Sequence, residues 1–267
     1  MDAQQEALAW QTGVWDRISE IYEREIDVRF APVVEGCIAR AGLRPGETVL
    51  DLGTGTGAAA ARAAAAVGPT GSVTAVDLSS EMLELARRRM EAEGVGVDVR
   101  EGRAEEIPAP DGTFDVIVAS LSLMYAVDRQ RAALECARVL RRGGRLVAAV
   151  WAGPEDADIV RFQQTAGMFA PPPPVAGVGP GALADPESFL AQLREAGIAG
   201  RVECEVLEFH FDDFEQAWDV LAGVTTANLD ADRRAEAKQA VQQAMWPDPT
   251  LGRRFANRTQ FIVGRKE

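Results

Sequence analysis

The stretch VLDLGTGTGAAAA (Val49–Ala61) ends an apolar run on three glycines spaced two apart, Gly53, Gly55 and Gly57, and restarts in alanine. A glycine turn of this kind lets the backbone approach a ligand closely, and the helix behind it offers free N–H groups. Two nucleotide chemistries compete for such a turn. A dinucleotide would set its pyrophosphate at the helix start on a G-x-G-x-x-G/A spacing, which Gly53, Gly55 and Ala58 formally satisfy. Asp51 argues against it, because a carboxylate two residues before the first glycine repels a pyrophosphate and suits an ammonium group. S-adenosylmethionine carries an α-ammonium, a sulfonium and no phosphate. Asp77, at the end of the next apolar run, fits either ligand by accepting hydrogen bonds from ribose hydroxyls. Two readings need no ligand: Asp51 as a buried turn former and Asp77 as a helix cap.

Candidates for proton transfer are few. His210 is the single histidine, and it lies near the carboxyl end of an alternating strand-like run, RVECEVLEFHF. Its neutral imidazole could take a proton from an alcohol or an acidic C–H during methyl transfer. Tyr125 and Tyr22 are the other candidates. With one histidine and three widely spaced cysteines, Cys37, Cys136 and Cys204, no metal-ligand spacing is present and no metal is expected. Aromatic and methionine side chains outside the regular core pattern, among them Trp15, Tyr22, Met168, Phe169 and Trp246, suggest a lid over an apolar, drug-sized substrate. Packing of that lid onto the core is the competing explanation for each of them.

The elements that must position these residues follow from hydrophobic spacing. Residues 5–42 read as helical. From Thr48 to Trp151, strand and helix alternate five times, which predicts a parallel, doubly wound α/β sheet that binds ligands beyond the carboxyl ends of its strands. The helix RQRAALECARVLRRGG is expected to stop on Gly143 and Gly144. Residues 152–185, with APPPPVAGVGPGA, read as a semi-rigid segment outside the core. Regular structure resumes with DPESFLAQLREAG and closes on the strand RTQFIVGR.

Four segments in order, VLDLGTGTG, VDLSSEML, GRAEEIPAPDGTFDVIVASLSLMYAVD and ARVLRRGGRLVAAVW, resemble the class I S-adenosylmethionine-dependent methyltransferases. The resemblance is to the small-molecule branch typified by the ubiquinone/menaquinone-biosynthesis enzymes, and it covers roughly residues 43–151. It implies a Rossmann-like, seven-stranded mixed sheet with the last strand antiparallel, an N-terminal helical cap and lid insertions. The implied layout is a cap at 1–42, a cofactor-binding core at 43–151, a Pro-rich insertion at 152–185, and the rest of the sheet at 186–267 with a helical insertion at 213–255. By the same resemblance Gly53, Thr54 and Gly55 would pack against the methionine part of S-adenosylmethionine, with Asp51 near its ammonium. Asp77 would hold the ribose, Leu78 would pack on adenine, Ala104 and Glu105 would lie at the adenine edge, and Ser120 and Leu121 would face the sulfonium side. One departure is Arg103, where the family commonly has an aspartate; arginine cannot accept a hydrogen bond from the adenine amino group.

The charge balance narrows the partners. A net charge of −13 without a basic block is a poor match for a phosphate backbone, so nucleic acid is not an expected partner. No run approaches the ~18 apolar residues of a membrane helix, and the acidic, polar first ten residues do not read as a secretory signal, so a cytoplasmic protein without a membrane partner is expected. The function expected from all of this is methyl transfer to an O, N or C atom of a small apolar molecule. The alternatives are a related fold that binds the cofactor or a ligand without methylating anything, and a dinucleotide oxidoreductase.

Overall fold

The computed structural model describes residues 3–267. Strands β1 (Thr48–Leu52), β2 (Ser72–Asp77), β3 (Asp98–Glu101), β4 (Phe114–Ser120), β5 (Leu140–Trp151), β6 (Ile198–Phe211) and β7 (Arg253–Lys266) form one sheet in the order β3-β2-β1-β4-β5-β7-β6. β1 to β5 pair in parallel, and β7 is antiparallel to both β5 and β6. Val116 to Ala119 of β4 are fully buried, as expected for a central strand covered on both faces. The direction of winding reverses between β1 and β4. This opens a crevice beyond their carboxyl ends, where doubly wound sheets bind ligands.

Helices α3 (Ala58–Val67), α4 (Ser80–Glu93) and α5 (Arg129–Val139) are the crossovers of the parallel half. Of the two candidate caps for α4, Ser79 is the one used: its hydroxyl accepts from the Met82 N–H. Helix α5 ends at Val139, earlier than its sequence suggests. Leu140 is buried opposite Phe114, and the arginines and glycines that follow already belong to β5. The register shifts between Phe114 and Val116, and Gly143 adopts φ +74°, so this stretch enters the sheet as a bulge and not as a helix end.

The expected N-terminal cap splits into two parts with different jobs; its residues 1 and 2 lie outside the described residues. Helix α1 (Ala3–Ile21) passes through a widened turn at Tyr22–Ile26, closed by the Asp27 N–H on the Tyr22 carbonyl, into α2 (Asp27–Ala41). Helix α2 is a layer of the core. It buries Phe30, Val33, Val34, Cys37 and Ala41, and the Phe30 ring meets Trp151 at 5.4 Å and Phe209 at 5.8 Å. Helix α1 and Tyr22 of the widened turn lie over the strand ends, α1 packed through Val14 and Ile18 on Met82 and Val224.

Residues 152–185 also depart from expectation, because α6 (Asp158–Gly167) forms inside them. Its Ile159, Val160, Phe162 and Ala166 are buried, and the Ile159 N–H donates to Asn257 Oδ1 at 2.9 Å. After α7 (Glu187–Glu195) and β6 come α8 (Phe214–Leu221), α9 (Gly223–Thr226) and α10 (Ala231–Met245). β7 begins at Arg253, so the helical insertion ends short of residue 255.

Candidate functional site

The glycine turn is shaped by contacts at Gly53 and Gly57 and by open space at Gly55. All three have positive φ, +72°, +53° and +85° for Gly53, Gly55 and Gly57. A Cβ on Gly53 would sit 2.3 Å from Ser122 Cβ, and one on Gly57 would sit 2.6 Å from Met90 Cε. A Cβ on Gly55 would meet nothing within 4 Å, so there only the backbone conformation calls for glycine. The turn is pinned to β2, where the Val76 carbonyl accepts from Gly53 N–H (2.8 Å) and Thr54 N–H (2.9 Å).

Beyond this turn a cleft runs in two lobes that share Gly53, Asp77, Leu78, Ser122 and Tyr125. One lobe continues along Gly102, Arg103, Ala104 and Glu105 and is roofed by Leu8 and Gln11 of α1. The other continues to Gly55, Ser120, Leu121, Trp15 and Tyr22. Eight of the residues named for the cofactor therefore meet on one surface: Gly53, Gly55, Asp77, Leu78, Ala104, Glu105, Ser120 and Leu121. Asp77 is the buried carboxylate at the junction. Its Oδ2 accepts from Gly55 N–H (2.8 Å) and its Oδ1 from Ser79 N–H (3.0 Å), and burial pushes its pKa up.

Asp51 and Thr54 do not line the cleft. Asp51 is buried beneath the turn, where Oδ2 accepts from the Thr54 hydroxyl at 2.6 Å. Burial pushes its pKa up to about 7. This is the geometry of the turn-forming alternative. Glu105 touches the cleft, but its Oε1 accepts from Val127 N–H (2.7 Å) and Asp128 N–H (3.2 Å), so the carboxylate secures the loop after β4. Arg103 at the same edge pairs with Glu106 at 3.0 Å.

Ser122 and Gln11 were not expected at the site. The Ser122 hydroxyl donates to the Leu52 carbonyl (2.6 Å), tying the end of β4 to the start of the glycine turn. Leu121 beside it is the one non-glycine residue with positive φ among the described residues, at +57°, a strained position of the kind that clusters at ligand clamps. Gln11 reaches down from α1 to donate to the Tyr125 carbonyl at 2.7 Å, and a lone glutamine on a helix gives no sequence signal for that. The rings of Trp15 and Tyr125 meet edge to face at 4.8 Å. Burial raises the pKa of both Tyr22 and Tyr125, so neither is a phenolate near neutral pH.

Tyr125 also borders a separate apolar groove of about 370 Å³. Trp10, Val224, the end of α6 and the prolines 171–173 line it, and so does the exposed Met168. Phe169 does not line it but packs against the core. Trp246 is also a core residue. It is 2% exposed, its ring lies 5.7 Å from Phe214 and 5.8 Å from Phe255, and its N–H donates to the Leu251 carbonyl at 2.8 Å.

The structure does not bring His210 to the cleft. It ends β6 at the correct edge of the sheet, but β6 is the outermost strand, and β4, β5 and β7 stand between it and β1. At roughly 4.8 Å per strand that is about 19 Å. The imidazole is exposed and faces Asp212 at 3.7 Å. Among the described residues no group of three or more His, Cys, Asp or Glu is placed to hold a metal ion, and no helix is long and apolar enough to cross a membrane.

The sheet order, the glycine turn and the acid ending β2 agree with the likeness of this chain to known proteins. The family model described as "Methyltransferase domain" matches residues 49–144. The matched stretch holds the glycine turn, Asp77 and the end of β4. The ubiquinone/menaquinone biosynthesis C-methyltransferase UbiE of Shewanella halifaxensis is 36% identical over 126 residues, which is 46% of this chain and 50% of that protein. The chain thus spans about half the length of the curated relatives it matches. Among solved structures, YcgJ of Bacillus subtilis superposes with a TM-score of 0.65 at 22% identity over 89% of this chain and 99% of that one. A geranyl diphosphate methyltransferase in complex with S-adenosylmethionine superposes with a TM-score of 0.54 at 19% identity over 88% of this chain and 84% of that one.

The likeness to methyltransferases makes one residue directly testable. Asp77→Ala is expected to weaken S-adenosylhomocysteine binding by about 1.5–3 kcal/mol, the range for hydrogen bonds to a charged group. Titration calorimetry checks this, and an unchanged Kd would leave Asp77 as a support for Gly55 and Ser79 alone.

Proposed function

We propose that this protein transfers the methyl group of S-adenosylmethionine to an O, N or C atom of a small, largely apolar molecule. The observation that carries the reading is the position of Tyr125, which borders both lobes of the cleft and the apolar groove beside it. In this reading the lobe at Gly102–Glu105 takes adenine, Asp77 takes the ribose and the lobe at Gly55, Ser120 and Leu121 takes the methionine end. The acceptor lies in the groove with its reacting atom toward Tyr125. Methyl transfer from a sulfonium is an in-line displacement: the nucleophile's lone pair forms the new bond to carbon while the C–S electrons return to sulfur. The cofactor supplies the activation, so the protein's task is to hold the two reactants on axis and keep water out. Helix α1 serves the second purpose, with Leu8, Gln11, Trp15 and Trp10 placed over the cleft and the groove.

With His210 remote, no histidine lines the cleft among the described residues, and the carboxylates that do, Asp77 and Glu105, are engaged by backbone N–H groups, which favours nucleophiles that need little proton removal in the transition state. Tyr125 in its neutral form can hydrogen-bond an acceptor and exclude water, and Tyr22 can do the same from the widened turn. The test is incubation with methyl-labelled S-adenosylmethionine and a panel of apolar phenols, amines and activated carbon acids. Label should pass to at least one of them. S-adenosylhomocysteine should raise the Tm by mass action while NAD does not. Stabilisation by NAD alone would return the dinucleotide reading. S-adenosylhomocysteine binding without label transfer across the panel would favour a cofactor-binding protein that does not methylate.

A further inference from the structure

One residue outside the cleft is bonded to both walls of the lobe that the methyl-transfer reading gives to the methionine end. Tyr22 forms one wall of that lobe, and the glycine turn forms another through Gly53 and Gly55. Asp27 does not line the lobe, but it reaches each of them. Its backbone N–H donates to the Tyr22 carbonyl and so closes the widened turn that carries the tyrosine. Its Oδ2 accepts from the hydroxyl of Thr56, one residue beyond Gly55, at 2.6 Å. Arg89 of α4 completes the arrangement. Its guanidinium donates to the same Asp27 oxygen, and its Nε–H donates to the Thr56 carbonyl at 2.9 Å. The buried Thr56 is thus held by both its side chain and its backbone. Two features tie this bracing to the lobe. A Cβ on Gly55 would meet nothing within 4 Å, so side-chain packing does not fix that part of the turn; hydrogen bonds do, at Asp77 and at Thr56. The widened turn that Asp27 closes is a rare geometry found mostly at functional sites, and its first residue is the one that lines the lobe.

We propose that Asp27 is a positioning residue. It fixes the spacing between Tyr22 and the glycine turn, and through them the fit of the lobe to the amino-acid end of the cofactor. The proposal rests on the methyl-transfer reading for what occupies the lobe, and it adds how the lobe's width is set. Both donors to the Asp27 side chain converge on one oxygen, so an amide oxygen in the same place can accept both, whereas a methyl group can accept neither. Without that oxygen Thr56 and Tyr22 are no longer tied to a common point, and the two walls move independently. A ligand that contacts both walls loses affinity. A ligand confined to the nucleoside part of the cleft does not, and a general loosening of the fold would weaken the two alike.

The test titrates two ligands into the full chain by calorimetry. S-adenosylhomocysteine carries the amino acid, and 5′-methylthioadenosine has the same nucleoside and sulfur without it. Asp27→Ala should raise the Kd for S-adenosylhomocysteine about tenfold or more and leave that for 5′-methylthioadenosine within about twofold of the wild type. Asp27→Asn should bring the first value back to within about threefold. Thr56→Val removes the hydroxyl and keeps the branched shape; it should raise the Kd for S-adenosylhomocysteine about fivefold, the value of one hydrogen bond. Adding Thr56→Val to Asp27→Ala should change nothing further, because both act through the same bond. Thr56→Val alone decides the matter if Asp27→Ala does not fold. Equal weakening of the two ligands in these variants, or unchanged S-adenosylhomocysteine binding, overturns the proposal. Failure of the wild-type protein to bind S-adenosylhomocysteine is a different result, and it overturns the methyl-transfer reading together with the proposal that rests on it.

Discussion

Gly53→Val is expected to raise the Kd for S-adenosylhomocysteine by at least about 100-fold, the equivalent of about 2.8 kcal/mol. Two costs combine at this position. The backbone sits at φ +72°, where a β-branched residue is an outlier and even an ordinary side chain loses roughly 1–2 kcal/mol. The first side-chain carbon would also fall 2.3 Å from Ser122 Cβ. Ser122 cannot withdraw cheaply, because its hydroxyl is committed to the Leu52 carbonyl. The collision therefore moves the end of β4 away from the glycine turn or forces the turn out of its conformation, and either change deforms both lobes of the cleft. Gly94 supplies the control. It has φ +67° at the end of α4, and a Cβ there would meet nothing within 4 Å. Gly94→Ala should lose about 1 kcal/mol of stability from backbone strain and none of the cofactor affinity. Equal affinity in Gly53→Val and the wild type, measured by calorimetry on folded protein, would mean that the cofactor does not use this turn.

The parts of the site legible in the sequence are those fixed by local backbone chemistry. Glycines that require positive φ behind an apolar strand announce a close-approach turn whatever the rest of the chain does. An acid at the end of the following strand lands beside that turn because adjacent parallel strands end together, and Asp77 does so. The residues misplaced by sequence reasoning depend on tertiary facts. His210 does end a strand at the ligand-binding edge, but only the strand order shows that β6 lies outside β7. Helices that cap a sheet's ends and helices that cover its face have the same apolar spacing, and what separates α2 from α1 is tertiary, the packing of Phe30 against Trp151. Trp246 and Trp15 are equally aromatic; one fills the core and the other borders the cleft. The prolines of residues 171–174 dominate the composition of their segment and hide α6, although the burial of Ile159, Val160 and Phe162 made that helix part of the fold. Glu105 shows the same ambiguity at the level of a single carboxylate, which can serve a ligand or two backbone N–H groups.

Asp51 sets the second large effect, a fall in stability as pH rises. Its carboxyl is 1% exposed and burial holds its pKa at about 7, against an ordinary value of 3.8. Between those two values the folded chain keeps a proton that the unfolded chain has lost, so unfolding releases it and stability declines with increasing pH. The stabilising contribution is complete below about pH 4 and gone above about pH 7. Three units at 1.36 kcal/mol each make it about 4 kcal/mol at most. Asp77, also raised by burial, adds a slope of the same sign. Asp51→Asn keeps an acceptor for the Thr54 hydroxyl and removes the titration, so urea unfolding at pH 5, 6, 7 and 8 should show a clearly shallower decline in the variant and a more stable variant at pH 8. Parallel curves for the two proteins would show that Asp51 is ionised throughout. The same group distinguishes the two roles open to it. If the cofactor's ammonium pairs with Asp51, binding at pH 6 must ionise the carboxyl and release close to one proton, visible as a dependence of the binding enthalpy on the buffer's ionisation enthalpy. That release should vanish in Asp51→Asn. If Asp51 only braces Thr54 and the start of α3, binding leaves its proton in place, and wild type and variant give the same buffer dependence.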